Sequence, residues 1–398
     1  MKVKIKNSRA SSIYFDGKFY DTDKEFDLNF SDAFRLTRIC DIDTVYEPVK
    51  YDKNLWKNDK FINFYGDIDN TSGFGGCSYN LIKFTEKTVK NAHSGKIINV
   101  KDKTVFESHK RPIEQAGAMI WHDQPREQWL YSPFKKNIAI VPFETTVIPQ
   151  SWIGKINQFD ALFTLCDQNV EAFKLSGITI PIEKIKWGID PTVFYELERP
   201  QKDVFTFGTM GALSIRKGTD VLIQAFKEEF RTEKDVRLIC KTSHNNYPFM
   251  DKDPRIELQM GEIPVDELRD EFFKRIDCFV FPTRGEGFGL PPLEAAATGV
   301  PIIVTGWSGP MEYIIKDIGW TINYEMTPAT VFTKEVYREE CGNWAEPSKE
   351  HLKQLMRYAY EHKDECKEKG KFAAEYVKKF WAWDIIIKEY INALQKHL

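Results

Sequence analysis

Residues 282–299 read PTRGEGFGLPPLEAAATG, and this stretch decides the fold of the chain. It follows an apolar run, residues 278–281 (CFVF), that is typical of a buried strand in a parallel sheet. The glycine-rich loop leads into a helix that opens with two prolines and ends at Gly299. A strand, a flexible loop and a helix N-terminus form a common anion-binding arrangement, and Glu286 and Glu294 flank this one. We therefore predict that the loop holds a phosphorylated ligand and the polar group attached to it.

The composition predicts a globular protein of two domains. At 398 residues the chain is too long for one ordinary core, so domains of roughly 150–200 residues are expected. A formal net charge of −3 excludes a globally basic nucleic-acid binder but not a local basic patch. The seven cysteines are scattered without a CxxC pair, which indicates reduced thiols in a cytoplasmic protein. We expect neither a signal peptide nor a membrane-spanning helix, because the apolar runs are too short for either.

Strand-like apolar runs alternate with helix-like segments from residue 61 onward. In the first half we predict strands at 61–66, 118–121, 137–143 and 161–166, and helices at 78–91 and 167–175. In the second half we predict strands at 204–208, 236–240, 256–259, 278–281 and 300–305, and helices at 219–230, 265–275 and 380–394. The helix at 219–230 has Thr219 or Asp220 near its cap, and a polar linker at 196–203 separates the halves. The pattern predicts an α/β protein with two Rossmann-like, doubly wound domains, at 1–198 and 199–375, and a terminal helical segment at 376–398.

Residues 1–60 do not follow this alternation. Asp16-Gly17 between two aromatic runs predicts a β-hairpin over 13–20. A helix is predicted over 28–40, with Ser31 as its cap. No chemistry can be assigned to this region from its residues.

Three places in the first half are candidates for ligand contact. Gly75 and Gly76 lie in the turn after the strand at 61–66, where a glycine-rich backbone exposes N–H groups, although a plain tight turn explains them equally well. His122 and Glu144 each follow a strand-like run, and residues just past the carboxyl ends of parallel strands line the ligand crevice. For His122 a purely structural role is an equal alternative.

Residues 81–111 hold eight Lys/Arg against three Asp/Glu, a local charge of +5. A solvated helix face with its loop is the simpler interpretation. The alternative is a landing surface for a polyanionic partner such as duplex DNA.

Strand-end loops of the second half carry complementary charges. They present Arg216 with Lys217, then Lys241, then Glu286 with Glu294. Cations neutralise phosphates and carboxylates accept hydrogen bonds from vicinal hydroxyls, so the set suits a diphosphate that bears a sugar. Singly, each residue is explained as an exposed loop charge or as a carboxylate at a helix N-terminus. Their occurrence at consecutive strand ends favours one shared site.

These motifs make the chain similar to the family-4 retaining glycosyltransferases of the GT-B fold, the glycosyl transferases group 1. The resemblance rests on residues 216–222 (RKGTDVL) and on Glu286 and Glu294, which are separated by seven residues around residues 287–291 (GFGLP). It extends to Ser308-Gly309 and to residues 380–383 (FWAW), and covers about residues 115–398. It implies two Rossmann-like domains facing across a cleft, with a C-terminal helix that crosses back to the first domain.

The resemblance also implies roles for individual residues. Lys217 would bind the donor diphosphate, Glu286 and the loop backbone would hold the transferred sugar, and Glu294 would bind the ribose hydroxyls. The family arginine that follows a glycine is missing here, since Ala212 follows Gly211, and Arg216 and Lys241 are the alternatives for its charge. A family histidine near the reacting sugar makes His122 a catalytic candidate beside Glu286, Lys217 and Arg216. The donor-side set is completed by Lys241, Gly211, Gly287, Phe288, Gly289, Leu290 and Glu294, and the acceptor-side set is Gly75, Gly76 and Glu144.

The implied reaction is retaining transfer of a hexosyl or pentosyl group from a nucleotide-diphosphate sugar to a hydroxyl. The expected acceptor is a glycan or another cell-envelope intermediate. No cofactor is expected, and no metal, because the sequence has no Asp-x-Asp at a strand end paired with other metal ligands. Two alternatives stay open: an acceptor that is a hydroxylated base in duplex DNA, and a non-catalytic subunit that only binds a nucleotide-sugar.

Overall fold

The computed structural model describes residues 2–5, 12–15, 18–21, 25–27, 42–44, 61–66, 73–90, 116–125, 136–199, 202–243 and 253–398. The chain divides into two units, Met1–Asp52 and Lys53–Leu398. The candidate site lies in the second unit.

The first unit contains antiparallel strands. They are β1 (Lys2–Ile5), β2 (Ser12–Phe15), β3 (Lys18–Asp21), β4 (Glu25–Asp27) and β5 (Ile42–Thr44). Strand β1 pairs with both β4 and β5. Strands β2 and β3 pair with Phe15 opposite Lys18, which confirms the hairpin predicted over 13–20. The helix predicted over 28–40 lies outside the described residues.

The N-terminal half of the second unit is built on a parallel sheet. Its elements are β6 (Phe61–Gly66), α1 (Gly73–Lys90), β7 (Ala116–His122), β8 (Lys136–Ile140), α2 (Gln150–Ile156), β9 (Ala161–Thr164), α3 (Asp167–Leu175) and β10 (Ile182–Lys184). The strand order is β10-β9-β8-β7-β6, and every pairing is parallel. Strands β8 and β9 are almost wholly buried, as their apolar sequences predict.

Helix α1 begins earlier than the sequence predicts. It starts at Gly73 instead of residue 78, so Gly75 and Gly76 lie in its first turn and not in a loop before it. The prediction of a flexible turn there is wrong. Their N–H groups still belong to a helix N-terminus, where the first four lack intrahelical partners.

The C-terminal half repeats the pattern with six parallel strands. Its elements are β11 (Phe205–Met210), α4 (Thr219–Glu229), β12 (Val236–Thr242), β13 (Ile256–Met260), α5 (Val265–Glu271), β14 (Cys278–Phe281), α6 (Leu290–Ala297), β15 (Ile302–Thr305) and β16 (Gly319–Ile322). The strand order β13-β12-β11-β14-β15-β16 reverses between β11 and β14. In an open α/β sheet the ligand crevice lies at such a reversal.

Three local predictions for this half need correction. The cap of α4 is Gly218, at φ 67°, and not Thr219 or Asp220, because a Cβ on residue 218 would lie 1.9 Å from the carbonyl oxygen of Pro282. Lys241 lies within β12 and not after it. The helix predicted over 265–275 is α5 followed by a short 3₁₀ turn at Phe273–Arg275.

A segment that the sequence analysis left unassigned follows β16. It consists of β17 (Tyr324–Pro328), α7 (Thr330–Tyr337) and β18 (Asn343–Pro347), and β17 pairs antiparallel with β18. We call residues 324–347 the bridging segment, because Asn343 and Thr146 are joined by two hydrogen bonds between the two halves.

Three helices end the chain: α8 (Lys349–Glu361), α9 (Lys363–Phe380) and α10 (Trp383–Gln395). Helix α9 packs on α6, and it runs across residue 375, where the sequence places a domain boundary. Helix α10 packs on α1, with Trp383 stacked on Phe84 at 6.1 Å between ring centroids. The terminal helix thus returns to the N-terminal half as expected, although it begins three residues later than predicted.

The returning chain runs beside the outgoing one where it passes between the halves. The Ile189 amide donates to the Trp381 carbonyl at 2.7 Å, and the Trp383 amide donates to the Ile189 carbonyl at 3.0 Å. Gly188 lies against the same turn, where a Cβ would come within 2.9 Å of the Trp381 carbonyl oxygen.

Two predictions from composition concern the described residues. The six cysteines among them are unbonded and buried, as predicted for reduced core thiols. No helix within the described ranges is both long enough and apolar enough to cross a membrane.

Candidate functional site

The two loops predicted to form the site meet at the reversal of the C-terminal sheet. The loop after β11 carries Arg216 and Lys217, and the loop after β14 carries Glu286. The Arg284 amide donates to the Arg216 carbonyl at 2.7 Å, so the two loops are tied together through their backbones.

Glu286 is the centre of a buried charge cluster. Its Oε1 atom accepts from Lys217 Nζ at 2.7 Å, from Arg216 Nη1 at 3.0 Å and from Thr283 Oγ1 at 2.8 Å. Its Oε2 atom has no hydrogen-bond partner among the described residues. The carboxylate is therefore fixed through one oxygen, while the other can accept from a ligand hydroxyl.

The pKa shifts in this cluster favour the charged carboxylate. Burial by itself would raise the pKa of Glu286, but the charges of Lys217 and Arg216 outweigh burial and lower it below its usual range. Burial lowers the pKa of Lys217, and the charge of Glu286 only partly offsets that effect. The charges of Glu286 and Glu144 raise the pKa of Arg216 against the opposing effect of burial. The cluster thus holds two cations around one fixed anion.

The loop that carries Glu286 is packed directly on the N-terminal half. A Cβ on Gly285 would lie 2.0 Å from the carbonyl oxygen of Glu144, and a Cβ on Gly287 would lie 2.4 Å from Pro142 Cβ. Only glycine allows this approach at both positions. The predicted donor loop therefore also forms one of the contacts between the two halves.

Phe288, Gly289 and Leu290 shape the end of this loop. Phe288 is buried among aromatic rings, with Trp187 at 5.9 Å and Tyr313 at 5.6 Å between centroids, so its side chain belongs to the core. Gly289 caps α6 at φ 81°, and its carbonyl accepts from the Tyr313 hydroxyl. Leu290 is the first residue of α6, which places its backbone N–H at the helix N-terminus, where anions bind.

Glu294 lies on α6 and differs from Glu286 in its contacts. Its carboxyl is partly buried and makes no hydrogen bond to a described residue. Burial raises its pKa to about 7. Burial, and to a smaller extent the charge of Glu294, raise the pKa of Cys77 near the start of α1.

Lys241 and Gly211 are joined to each other, and only Gly211 also lies beside a residue of the cluster, Lys217. Lys241 Nζ donates to the Gly261 carbonyl at the end of β13, and the Lys241 carbonyl accepts from the Gly211 amide at 3.1 Å. Gly211 adopts φ 136°, and a Cβ there would lie 3.5 Å from Lys217 Cε. Of the two alternatives for the missing arginine charge, Arg216 is the one that meets Glu286 in this structure.

His122 is the last residue of β7, as predicted, but its side chain has no exposed surface. Its Nδ1 lies 2.7 Å from Ser78 Oγ, and its ring lies 5.5 Å from that of Trp187. Burial lowers its pKa to about 3, so the ring is neutral. Because no ligand atom can reach His122 in this conformation, the structure favours the structural alternative.

Glu144 is half-buried and belongs to the N-terminal half. Its Oε2 atom accepts from the Tyr337 hydroxyl at 2.7 Å, and Tyr337 belongs to the bridging segment. The Glu144 carbonyl also lies directly against Gly285, so Glu144 lies beside the donor loop.

Sequence reasoning missed three residues that hold the cluster. Thr283 donates to Glu286, and Ser308 Oγ accepts from the Glu286 amide at 3.1 Å while its own backbone is held at φ 62°. That conformation costs on the order of 1–3 kcal/mol in a non-glycine residue and is common at functional sites. Arg284 is 5% exposed and makes paired hydrogen bonds of 2.5–2.9 Å to Asp220 and Glu346. The Ser308-Gly309 part of the family pattern was the only available signal for any of them.

Two further observations bear on ligands. Among the described residues, no group of three or more His, Cys, Asp or Glu side chains could hold a metal ion. In the basic region 81–111, Lys83 pairs with Asp190 at 2.7 Å and Lys87 with Asp384 at 2.8 Å, and residues 91–111 lie outside the described ranges.

The C-terminal half matches a known family. Residues 202–331 match the family described as glycosyl transferases group 1. The chain is 22% identical over 234 residues to the lipopolysaccharide core biosynthesis mannosyltransferase LpcC of Rhizobium leguminosarum bv. viciae, covering 52% of this chain and 63% of that protein. It is 30% identical over 124 residues to the capsular polysaccharide biosynthesis glycosyltransferase CapM of Staphylococcus aureus, covering 29% and 31%. The chain thus spans less than two thirds of the length of these curated relatives.

Solved structures of other proteins have a similar fold. The sucrose-phosphate synthase from Thermosynechococcus elongatus superimposes with a TM-score of 0.63 at 13% identity, covering 85% of this chain and 98% of that one. At this identity the likeness shows the fold alone.

Proposed function

We propose that this protein transfers a sugar from a nucleotide-sugar to a hydroxyl acceptor. The chain has the GT-B fold, and its residues 202–331 match the glycosyl transferases group 1 family. The observation that carries the proposal is the Glu286 cluster. One carboxylate oxygen is fixed by Lys217, Arg216 and Thr283, and the other is left for a ligand at the reversal of the sheet.

The donor's parts fit the residues around this cluster. Lys217 and Arg216 neutralise the diphosphate, while the unpartnered Oε2 of Glu286 accepts from the sugar hydroxyls. Glu294, which makes no hydrogen bond to a described residue, accepts from the ribose. The charge effect of Glu294 on Cys77 supports an acceptor-side role for the N-terminal end of α1.

The chemistry follows from this placement. As the bond to the diphosphate breaks, the sugar becomes oxocarbenium-like and charge grows on the leaving oxygens, where Arg216, Lys217 and the loop N–H groups stabilise it. We propose that the leaving phosphate takes the proton of the acceptor hydroxyl, which attacks from the same face, so that the anomeric configuration is retained. No cofactor or metal takes part in this scheme, and His122 acts by supporting the site from the core.

A glycan of the cell envelope is the acceptor we favour. The relatives above are named for lipopolysaccharide core and capsular polysaccharide biosynthesis, and none of these names points to DNA. The ion pairs of Lys83 and Lys87 also reduce the positive charge that region 81–111 offers to a polyanion. Since the reaction uses a nucleotide-sugar, we propose that it takes place in the cytoplasm.

The test is an assay with a panel of nucleotide-sugars and glycan acceptors. Lys217→Ala and Glu286→Gln should each reduce transfer by roughly 10²- to 10³-fold, because each removes a group that acts on developing charge or on the sugar. Lys349→Ala is the matched control, since Lys349 is half-exposed and pairs with Glu228 at 2.6 Å on the outer surface. Wild-type transfer by either site variant would refute the assignment.

Three further measurements separate the alternatives. Donor binding without transfer or hydrolysis would favour a non-catalytic subunit. Salt-sensitive binding of duplex DNA would favour the DNA acceptor. If NMR shows that the anomeric configuration of the product is inverted, the retaining mechanism is refuted but glycosyl transfer is not.

A further inference from the structure

Tyr337 and Glu144 form a hydrogen bond between the bridging segment and the N-terminal half. The Tyr337 hydroxyl donates to Glu144 Oε2 at 2.7 Å. The Tyr337 ring is held by Trp152 at 5.2 Å and Phe143 at 5.6 Å between centroids, both in the N-terminal half. The hydroxyl is therefore fixed in direction, and Glu144 is fixed with it.

The same bridging segment also touches the donor-side loops. The ring of Phe332 lies 5.8 Å from the guanidinium carbon of Arg216. The Ala345 amide donates to the Arg284 carbonyl at 2.9 Å, and Glu346 pairs with the Arg284 guanidinium. The segment thus contacts both the N-terminal half and the two loops that carry the cluster.

Arg216 lies where these contacts converge. Its Nη1 donates to the Gly285 carbonyl at 2.7 Å and to Glu286 at 3.0 Å. Glu144 packs its backbone on Gly285, and its carboxylate charge acts on Arg216 from the other half. Gly285, whose carbonyl accepts from Arg216, lies directly against the Glu144 backbone, so contact between the halves adds to the contacts that hold Arg216 within the C-terminal half.

We propose that Glu144, held by Tyr337, is a positioning residue that orients Arg216 toward the leaving diphosphate when the two halves are together. This inference rests on the proposed function. Donor binding uses Lys217 and Glu294, which lie in the C-terminal half. The Glu144–Tyr337 pair acts through Arg216, which helps to neutralise the bound diphosphate but matters most when charge grows on the leaving oxygens in the chemical step.

The expected signature is a fall in kcat with little change in the KM for donor. Tyr337→Phe keeps the ring packing and removes the hydroxyl, and Glu144→Gln keeps an acceptor for that hydroxyl and removes the charge. Each should lower kcat by roughly 10- to 100-fold, the loss that a misplacement of about 1 Å produces. The matched control is Tyr358→Phe, whose hydroxyl donates to Glu365 at 2.6 Å on the exposed surface of the terminal helices; it should leave kcat unchanged.

The experiment measures kcat, donor KM and melting temperature for each variant of the full chain, alone and combined with Arg216→Lys. Since Glu144 acts through Arg216, Glu144→Gln should have little further effect on kcat in the Arg216→Lys background. If Glu144→Gln and Arg216→Lys lower kcat independently, so that their effects multiply in the double variant, the positioning role is refuted. An unchanged kcat in Tyr337→Phe or Glu144→Gln would also refute it, whatever happens to their melting temperatures. Absence of transfer by the wild type is a different result, and it refutes the proposed function itself.

Discussion

Gly287→Ala tests whether the donor loop depends on its contact with the N-terminal half. The added Cβ would lie 2.4 Å from Pro142 Cβ and 3.3 Å from the Phe143 amide nitrogen. Carbon atoms in contact lie about 3.5–4.0 Å apart, so the loop or residues 142–143 must move by about 1.1–1.6 Å. A shift of that size should lower transfer about 100-fold, and the overpacking should lower the free energy of unfolding by about 1–3 kcal/mol.

The assay is steady-state transfer together with denaturant unfolding. Gly154→Ala is the control, because a Cβ there meets nothing within 4 Å and the residue lies in α2. That change should leave transfer unaltered and stabilise the protein by about 0.5–1 kcal/mol. Unchanged transfer in Gly287→Ala would refute the view that the loop and the N-terminal half are held in contact during catalysis.

Three further predictions follow from burial and charge. Arg284→Met should lower the free energy of unfolding by about 3 kcal/mol, because it leaves the carboxylates of Asp220 and Glu346 without their buried partner. Lys353→Met removes two surface ion pairs and should change the free energy of unfolding by less than about 1 kcal/mol. Equal effects of the two substitutions would contradict the reasoning. Burial raises the pKa of Glu294 from 4.5 to about 7. Between these pH values the folded state holds a proton that the unfolded state has lost. The free energy of unfolding should therefore fall as pH rises through this window, by at most about 1.4 kcal/mol per pH unit. Glu294→Gln should flatten that dependence in urea melts at a series of pH values, and an unchanged slope would place the titration elsewhere. Trp383→Ala should lower the free energy of unfolding by about 3–5 kcal/mol, because it removes a buried ring stacked on Phe84. A loss below about 1 kcal/mol would show that α10 does not complete the core of the N-terminal half.

The sheets were predictable from sequence because parallel strands are buried on both faces. Each strand is then a nearly continuous apolar run, as in residues 278–281, which form β14 as predicted. The bridging segment had no such signal. Strand β17 is short and exposed, and β18 is short and buried at Trp344 and Ala345 by contacts within the fold. Asn343 of β18 is hydrogen-bonded to Thr146, which is far away in the sequence.

The candidate site was predictable where charged residues follow strands of the parallel sheet. Arg216, Lys217 and Glu286 follow strands on either side of the reversal, and the structure brings them within hydrogen-bonding distance. Local sequence could not reveal that Lys241 turns to Gly261, or that His122 is fully enclosed, because both depend on packing between elements. Gly75 and Gly76 were misplaced for a related reason, since a helix can begin at glycines when tertiary contacts support its first turn.

The return of α10 to the N-terminal half has a consequence for biosynthesis. The core of that half is completed by Trp383, Tyr390 and Leu394, although its last strand ends at Lys184. At about 5–20 residues per second, a ribosome needs roughly 10–40 s to make the chain between these points. All elements of the C-terminal half are synthesised within that interval, so its sheet can assemble first. Removal of α10 should therefore leave apolar surface of the N-terminal half uncovered while the C-terminal sheet keeps its core.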